Sequence, residues 1–220
     1  MSPQKKLQTY KALLGVEPAL SYQSRILRQN KAAFRLVKRF ADLLMAGTAF
    51  IVLFPLLVLI GILIRITSSG PAIFKQERVG KFGHIFVLYK FRSMIKDAEK
   101  HTGPVLAKHK DERVTGLGRF LRRTRLDELP QLWNVILGDM SVVGPRPERE
   151  YFVKQHKELQ GHRLSVKPGL TGLAQVEGTY HSTPEEKWFF DEFYIDHMTL
   201  LMDFLIILRT LWIIVSKKGS

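Results

Sequence analysis

The sequence predicts a predominantly helical α+β protein, in which a membrane-associated helical segment precedes a domain with a small β-hairpin and amphipathic helices. The first observation is an uncharged apolar run of 22 residues, Leu43–Ile64. The second is a pair of β-rich runs, 72–79 and 84–91, that flank a glycine-bounded turn at Gly80–Gly83. Helical patterns dominate the chain that follows. Strands close together and helices elsewhere are typical of the α+β class.

The overall charge indicates an anionic partner. The 220 residues carry a formal net charge of +14, a balance typical of proteins that contact nucleic acid, anionic lipid or phosphate-rich substrates. No groove-reading helix or base-stacking motif is present, so nucleic acid is not expected as a partner. The chain has no cysteine, which excludes a disulfide framework, a thiolate zinc site and a thiol nucleophile.

Residues 1–35 are predicted to be a basic N-terminal extension. Residues 1–40 contain nine Lys or Arg residues and a single acid, Glu17. The pattern from Ser24 to Phe40 favours a basic amphipathic helix. The basic region is too long for a secretory signal peptide, and no small-residue cleavage site follows the apolar run.

Residues 36–68 are predicted to enter the membrane. A helix over Leu43–Ile64 would be about 33 Å long, enough to cross a bilayer core. Pro55 lies near its middle, removes a backbone hydrogen bond and clashes with the carbonyl of Ile51, so a kink is expected there. Basic residues flank the segment on both sides, and the positive-inside rule favours both flanks on the cytoplasmic face. We therefore favour a re-entrant helical hairpin over a spanning helix or a buried core helix.

Residues 69–216 are predicted to form the soluble domain. After the β-hairpin, the sequence predicts short helices and one short strand. The helices are Met94–His101, Val114–Thr124 and Glu148–Gln160; the turn Lys167–Gly172 precedes a strand over Leu173–Val176. A further helix begins with Thr183 as its cap and Pro184 at its first position.

The apolar stretch Leu200–Val215 is predicted to be an amphipathic helix. Asp196, Thr199, Asp203 and Thr210 fall within about 60° of one another on a helical projection. A narrow polar stripe on an apolar cylinder favours a helix at the membrane interface or packed against the re-entrant helix. A second membrane span is the alternative.

Two adjacent carboxylates, Asp127 and Glu128, follow a cluster of arginines and precede Pro130. Because proline is tolerated in the first turn of a helix, the sequence predicts a helix N-terminus here, with Gly138 near the C-terminal end. Asp127 would then cap this helix. The positive end of a helix dipole also attracts anions, including phosphates.

The pair is also suited to metal-assisted phosphoryl transfer. Adjacent helical residues project about 100° apart, which favours divided roles over a shared proton. One carboxylate would attack or coordinate, while the other holds a divalent cation. An ionised aspartate needs no general base to act as a nucleophile. Mg²⁺ prefers one or two carboxylates together with substrate phosphate oxygens, so Asp127 and Glu128 are the predicted metal ligands and Mg²⁺ the predicted cofactor.

Phosphoryl transfer requires cations near the phosphate oxygens, and five side chains are candidates. Arg146 is held between two prolines, which restrict its loop and suit a guanidinium for bidentate phosphate contact; a structural salt bridge is its alternative role. Lys90 and Arg92 follow the second β-run, and a solvated face is their alternative. Arg122 and Arg125 lie directly before the carboxylate pair.

Eight short motifs follow one another along the chain: Lys38–Asp42, Gly70–Pro71, Gln76–Gly80, Tyr89–Met94, Leu126–Leu132, Gly138–Ser141, Val143–Pro147 and Lys167–Gly172. These motifs resemble those of the bacterial sugar transferase family, the monotopic phosphoglycosyltransferases, and occur in the family's order. The resemblance covers about residues 36–216. The family often has a serine before the membrane proline, whereas this chain has Phe54. At 220 residues, the chain is expected to be the small single-domain form.

The resemblance implies a membrane enzyme whose catalytic domain lies on the cytoplasmic face of the bacterial inner membrane. It would transfer a sugar-1-phosphate from a nucleotide diphosphate sugar, with UDP as the expected nucleotide, to polyprenyl (undecaprenyl) phosphate, releasing UMP. By the family match, Asp127 forms an aspartyl-phosphosugar intermediate and Glu128 helps to hold Mg²⁺. Lys90, Arg122 and Arg146 match phosphate or nucleotide contacts.

The implied partners are the nucleotide sugar, polyprenyl phosphate and inner-membrane lipids, and a homodimer is compatible with the resemblance. The implied pathway is the synthesis of exopolysaccharide, lipopolysaccharide or capsule. The alternative function is a non-enzymatic membrane-surface adaptor that binds anionic lipid. Lipid binding by such an adaptor would be indifferent to the loss of Asp127, Glu128 and Arg146.

Overall fold

A long helix and an α+β domain packed along it form the described part of the protein. The computed structural model describes residue 8 and residues 31–98, 111–178 and 183–216; most of the predicted extension, residues 1–35, lies outside them. The elements in chain order are α1 (Lys31–Thr67), β1 (Ile73–Val79), β2 (Ile85–Phe91), α2 (Gly116–Arg123), α3 (Gln131–Leu137), β3 (Ser141–Val143), α4 (Glu150–Gln155), β4 (Gly169–Thr171), α5 (Leu173–Glu177), α6 (Pro184–Asp196) and α7 (Leu200–Ser216). This composition confirms the predominantly helical α+β class.

Helix α1 is the one helix in the described chain that is long and apolar enough to cross a membrane. Its buried residues, Asp42, Ala46, Ile60 and Ile64, recur near helical spacing, so a single stripe faces the domain and much of the opposite side is exposed. The helix continues through Pro55 as one element. The kink at Pro55 and the re-entrant path stay predictions.

Both halves of α1 pack against the same domain. Ala46 in the first half joins a hydrophobic cluster with residues of β2 and α3, and Ile60 in the second half joins a cluster with residues of β2 and α2. Near its start, Arg39 donates hydrogen bonds to the carbonyls of Val135 (2.6 Å) and Ile136 (2.9 Å). The domain therefore lies alongside α1 over most of its length.

Strands β1 and β2 form the predicted antiparallel hairpin, joined by a 3₁₀ turn at Lys81–Gly83. In the register, Phe74 lies opposite Lys90 and Arg78 opposite Phe86. Because side chains alternate along a strand, Lys90, Arg78 and the buried Phe86 lie on one face. The hairpin therefore presents two cations on the face that packs against the rest of the domain.

A second, parallel pair joins β3 to β4, with Ser141 opposite Gly169. The strand predicted at Leu173–Val176 is wrong: that segment is helix α5, and the strand lies just before it. A Cβ atom on Gly169 would meet the Gly144 nitrogen at 2.1 Å. Because Gly169 has no Cβ atom, the backbone of β4 can approach the backbone at Gly144 this closely.

Three predicted helices meet different outcomes. Helix α2 forms as expected, with the Thr115 side chain accepting a hydrogen bond from Gly118 N. The helix predicted from Met94 is wrong over residues 94–98, because Met94 instead makes an isolated bridge with Val114; residues 99–101 lie outside the described chain. The helix predicted over 148–160 is shorter, since α4 ends at Gln155 and a 3₁₀ turn follows.

Only two of the four residues of the predicted polar stripe, Asp203 and Thr210, lie on α7, and both face inward. The placement of Asp196 on this helix is wrong, because Asp196 ends α6 and is exposed, and Thr199 directly precedes α7. Asp203 accepts a hydrogen bond from Lys38 Nζ of α1 at 2.6 Å and another from the Tyr194 hydroxyl at 2.7 Å. Thr210 contacts the hydroxyl of Thr171 at 2.7 Å. The opposite face exposes apolar side chains, among them Leu201, Phe204, Leu208, Leu211, Trp212 and Val215. Contact with α1 is one of the two predicted placements, and contact with the membrane stays a prediction. The next helix upstream, α6, has the predicted Thr183 cap and Pro184 start.

Candidate active site

Asp127 and Glu128 lie in a 3₁₀ turn, Leu126–Glu128, rather than at the start of helix α3. The preceding Arg125 is left-handed (φ 59°), which ends the α2 segment and redirects the chain. Helix α3 begins three residues later, so Asp127 caps no helix. The predicted C-terminal end is confirmed, since Gly138 takes the left-handed conformation (φ 99°) that favours glycine.

Asn134 fixes α3, and with it the carboxylate turn, against the hairpin. Its side chain is fully buried, donates to the carbonyl of Val87 (2.7 Å) and accepts from the backbone N–H of Tyr89 (3.0 Å). The buried amide of Asn134 thus makes the hydrogen bonds that a neighbouring strand would make with β2, and it holds α3 in a fixed position against β2. The turn therefore lies beside the end of β2 that carries Lys90.

Glu128 is the paired carboxylate. Arg146 donates to Glu128 Oε1 at 2.6 Å, and the Arg125 guanidinium lies 3.8 Å from Oε2. Burial alone would raise the pKa of Glu128, but the charge and hydrogen bond of Arg146 outweigh it and hold the pKa below its usual value. The same contact raises the pKa of Arg146. Both side chains are therefore charged throughout the physiological range.

Asp127 is the free carboxylate. Only 8% of the residue is exposed, yet its side chain has no hydrogen bond or ion pair with another residue in the described chain. Burial, followed by the charge of Glu128, raises the pKa of Asp127 to about 6, while Lys90, Arg122 and Arg146 oppose that rise. Asp127 is therefore still ionised at neutral pH, and its oxygens are available to a substrate.

Two predicted phosphate ligands face Asp127 from different elements. Lys90 extends from β2, with its Nζ 5.2 Å from the centre of the Phe74 ring. Burial lowers the pKa of Lys90 to about 8, helped by the charges of Arg78 and Arg146. Arg122, in the last turn of α2, is held by a 2.8 Å hydrogen bond from its Nε to Ser93 Oγ. Its terminal nitrogens donate no hydrogen bond within the described residues.

Arg92 lies at the end of α1 rather than against the carboxylates. Its Nη2 donates to the carbonyl and the hydroxyl of Ser68, both at 2.8 Å. Burial, and then the charge of Arg65, lowers the pKa of Arg92, and Arg92 is not among the main causes of the shift in the pKa of Asp127. The structure thus brings Lys90, Arg122, Arg125 and Arg146 to the carboxylate pair and directs Arg92 elsewhere, so its phosphate contact stays a prediction.

Sequence reasoning missed Arg78. Its Nη1 donates to the carbonyl of Pro147 at 3.1 Å, its Nη2 donates to Gln76 Oε1 at 2.6 Å, and burial lowers its pKa to about 10. The signal was the hairpin register, because a residue opposite Phe86 must share the inward face with Lys90. A charged residue at such a position is rarely buried without a specific contact.

The carboxylate pair fits a magnesium ion that also binds substrate. Among the described residues, no group of three or more His, Cys, Asp or Glu side chains is placed to hold a metal. Asp127 has unpaired oxygens, and Glu128 keeps one oxygen outside its short contact with Arg146. Two carboxylates with open positions match the Mg²⁺ sites that are completed by substrate phosphates and water.

The chain matches the protein family described as bacterial sugar transferase over residues 33–217. A UDP-N-acetylgalactosamine-undecaprenyl-phosphate N-acetylgalactosaminephosphotransferase of Aeromonas hydrophila is 39% identical over 193 residues, 85% of this chain and 45% of the relative. An undecaprenyl-phosphate galactose phosphotransferase of Salmonella typhimurium is 34% identical over 218 residues, 91% of this chain and 46% of the relative.

A UDP-glucose:undecaprenyl-phosphate glucose-1-phosphate transferase of Klebsiella pneumoniae is 40% identical over 183 residues, 80% of this chain and 39% of the relative. The chain therefore spans less than half the length of these three relatives. Their names share an undecaprenyl-phosphate acceptor but differ in the sugar.

Proposed function

Because the chain belongs to the bacterial sugar transferase family, we propose that it transfers a sugar-1-phosphate from a UDP-sugar to undecaprenyl phosphate. The products would be undecaprenyl-diphosphate-sugar and UMP. The observation that carries this proposal is the contrast within the carboxylate pair, where Glu128 is bound to Arg146 and Asp127 is free. Transfer through a nucleophilic carboxylate requires such an unpaired oxygen among cations.

In the first step, an oxygen of Asp127 attacks the phosphorus that carries the sugar. The bond from that phosphorus to the bridging oxygen breaks, and this oxygen leaves with the electron pair as part of UMP. The sugar phosphate is then bound to Asp127 as an acyl phosphate. No proton has to be removed from the nucleophile, because a carboxyl group with a pKa of about 6 is mostly ionised at pH 7.

In the second step, a phosphate oxygen of undecaprenyl phosphate attacks the same phosphorus. The bond between phosphorus and the Asp127 oxygen breaks, and the carboxylate is restored. The attacking group of each step is an anion. Positive charge must therefore screen it from the negatively charged oxygens bound to the phosphorus. Lys90, Arg122 and Arg146 approach the turn from β2, α2 and the loop after β3 and supply this charge.

Asp127 and Glu128 would hold Mg²⁺ together with diphosphate oxygens, where the ion would neutralise charge that develops on the phosphoryl group. Arg146 has a double role in this arrangement. It keeps Glu128 ionised by holding its pKa low, and its remaining N–H groups can donate to the diphosphate. These roles follow from contacts that exist before substrate binds, so the site is preorganised.

We also propose that α1 bends at Pro55, so that it dips into the inner membrane and returns to the cytoplasmic face. Residues before and after the apolar run contact the same domain: Arg39 binds carbonyls of α3, and Ser68 accepts a hydrogen bond from Arg92. A helix that crossed a bilayer core of about 30 Å would separate those two contacts. The exposed apolar side of α1 and the outer face of α7 would then contact lipid.

The test is UMP release by the full chain in detergent or nanodiscs, with a panel of UDP-sugars, undecaprenyl phosphate and Mg²⁺. We expect release with at least one donor and dependence on both the acceptor and the metal. Asp127→Asn should abolish release and also abolish covalent labelling by a radioactive donor in the absence of acceptor. Asp196→Asn, an exposed aspartate at the end of α6, is the matched control and should retain activity.

Two results would overturn the proposal. Wild-type activity in Asp127→Asn would exclude this residue as the nucleophile. Binding to anionic vesicles without turnover of any donor, unaffected by Asp127→Asn and Arg146→Met, would favour the adaptor function instead.

A further inference from the structure

The loop that carries Arg146 is held by its backbone as well as by its prolines. Four consecutive carbonyl groups accept hydrogen bonds from donors on other segments. The donors to the carbonyls of Pro145, Arg146, Pro147 and Glu148 are, in that order, Gly169 N (2.9 Å), Arg163 Nη2 (2.7 Å), Arg78 Nη1 (3.1 Å) and Val79 N (2.9 Å). Such continuous bonding leaves the loop little freedom on either side of Arg146.

One of these donors belongs to a buried ion pair outside the carboxylate site. The Nε of Arg163 donates to Asp191 Oδ2 of α6 at 2.8 Å, and each side chain is only 2% exposed. Its Nη2 then reaches the carbonyl of Arg146. Arg163 therefore links helix α6 directly to the residue that binds Glu128.

A buried ion pair is a weak source of stability. The cost of removing two charges from water roughly equals their attraction, so an apolar pair of similar volume often serves the fold as well. The contact from Arg163 to a backbone carbonyl is what an apolar pair could not supply. A charged pair at this position is therefore explained if Arg163 is needed to hold the Arg146 carbonyl in place.

The second guanidinium acts from the other side of the loop. Arg78 extends from the inward face of β1, where Gln76 fixes its Nη2 at 2.6 Å, and its Nη1 donates to the carbonyl of Pro147. Neither Arg78 nor Arg163 has an ion pair or hydrogen bond with the Asp127–Glu128 carboxylates in the described chain. Both contact the Arg146 loop.

We propose that Arg78 and Arg163 are positioning residues that hold the Arg146 guanidinium for the diphosphate of the donor, with Asp191 as the support of Arg163. The proposal rests on the proposed function. A displacement of about 1 Å in a phosphate-binding group is enough to lower a rate by about 10²-fold. Arg163 holds the carbonyl of Arg146 and Arg78 holds the carbonyl of Pro147. Together these two hydrogen bonds restrict both the position and the direction of the backbone at Arg146.

The test is a mutant cycle that joins this support to Arg146. The double variant Arg163→Met/Asp191→Leu removes the buried pair without leaving a lone charge, and it is combined with Arg146→Met in the full chain. We expect the double variant to lower kcat/KM for the nucleotide sugar by about 10–100-fold. In the Arg146→Met background, the same double variant should cause little further loss, because the group it positions is already absent.

A merely structural role gives a different pattern. The losses of the double variant and of Arg146→Met would then multiply in the combined variant, and that result overturns the proposal. Glu150→Leu/Lys154→Met, which removes an exposed ion pair of α4 next to the loop, is the matched control and should leave the kinetics unchanged.

Arg78 is tested separately with a conservative rescue. Arg78→Met should lower kcat/KM, and Arg78→Lys should restore much of it by donating to the Pro147 carbonyl. Activity should fall near pH 8 as Lys90, whose pKa burial and the charge of Arg78 lower to about 8, loses its charge. Arg78→Met should move this fall to higher pH. Equal losses in the Met and Lys variants would contradict a positioning role.

Hydrogen exchange on the same samples separates this proposal from the proposed function. A peptide spanning residues 142–149 should exchange faster in Arg163→Met/Asp191→Leu than in the wild type, whether or not the protein turns over any donor. An inactive wild type would therefore refute the proposed function, while the exchange rate still decides whether Arg163 holds the loop. Unchanged exchange in this peptide would overturn the positioning proposal.

Discussion

Arg146 donates a 2.6 Å hydrogen bond to Glu128 and leaves the neighbouring Asp127 without one in the described chain. This contact gives two adjacent carboxylates opposite properties. The pKa of Glu128 is held low, while burial and the Glu128 charge raise that of Asp127 to about 6. One carboxylate is thus a permanent anion that orders an arginine, and the other is an anion with free oxygens at neutral pH.

The pH dependence of kcat/KM should be bell-shaped, with limbs near pH 6 and pH 8. Activity should rise as Asp127 loses its proton near pH 6 and becomes nucleophilic. It should fall as Lys90, whose pKa burial lowers to about 8, loses its charge. Initial UMP release at subsaturating UDP-sugar, measured from pH 5 to pH 9.5, tests both limbs.

Substitution at Lys90 assigns the alkaline limb. Lys90→Arg keeps a positive charge to a far higher pH, so the fall near pH 8 should disappear even if the maximum rate is lower. Lys90→Met should lower the rate at every pH and also remove the fall. An alkaline limb that persists unchanged in both variants would show that another group titrates there.

Asp127→Asn should make the protein more stable while it abolishes activity. Because burial raises the pKa of Asp127 to about 6, the protonated carboxyl group favours the folded state. This contribution to stability is complete below about pH 4 and is lost as the pH rises through about 6. The neutral amide avoids that loss, which amounts to at most about 3 kcal/mol when the pKa is raised to about 6.

Thermal unfolding at pH 5 and pH 7.5 measures this effect. The midpoint of Asp127→Asn should exceed that of the wild type, and the difference should be larger at pH 7.5. Glu128→Gln is the matched variant and should lower the midpoint, because it leaves Arg146 without its ion pair. A midpoint of Asp127→Asn at or below the wild type at pH 7.5 would contradict the proposed burial cost.

The β-hairpin could be predicted from sequence because its signal is local. Two β-rich runs on both sides of Gly80–Gly83 indicate the strands, and the structure then places Lys90 opposite Phe74. Strand β4 could not be predicted, because its partner β3 lies 28 residues earlier and the pair is parallel. A three-residue strand carries no periodic signal of its own. The strand was therefore predicted over the apolar residues that follow Gly172.

The composition of the carboxylate site could be predicted, but its geometry could not. The residue types around Asp127 were sufficient to propose phosphoryl transfer. The helix start was misplaced because it depends on Arg125 in a left-handed conformation, which a residue with a Cβ atom adopts only when its surroundings impose it. The contact between Arg163 and Asp191 joins residues 28 positions apart, and no local pattern indicates it.

The ion pair between Lys38 and Asp203 should hold α7 against α1. Lys38→Met would leave a buried carboxylate that, among the described residues, accepts a side-chain hydrogen bond only from the Tyr194 hydroxyl, at a cost of about 3 kcal/mol to the folded state. Lys38→Met/Asp203→Leu should recover most of this loss, because no lone charge remains. Thermal unfolding of the two variants in the same detergent provides the comparison.

The exposed ion pair between Lys154 and Glu150 serves as the control for the Lys38 variants. Lys154→Met removes the lysine of a solvent-exposed ion pair in α4 and should change the unfolding free energy by less than about 1 kcal/mol. If Lys38→Met is no more harmful than Lys154→Met, the contact between α1 and α7 is not a significant source of stability.

Both ends of α1 should lie on the side of the membrane that carries the domain. The sequence contains no cysteine, so Ala33→Cys and Ser69→Cys each provide a single label near one end of the helix. Arg39 and Ser68 both contact the domain, and these contacts would be separated if α1, about 55 Å long, crossed the bilayer. We expect an impermeant maleimide to label both variants in inverted membrane vesicles and neither in spheroplasts. Glu150→Cys, exposed on α4, marks the side of the domain, and labelling of Ala33→Cys from the opposite side would establish a spanning helix.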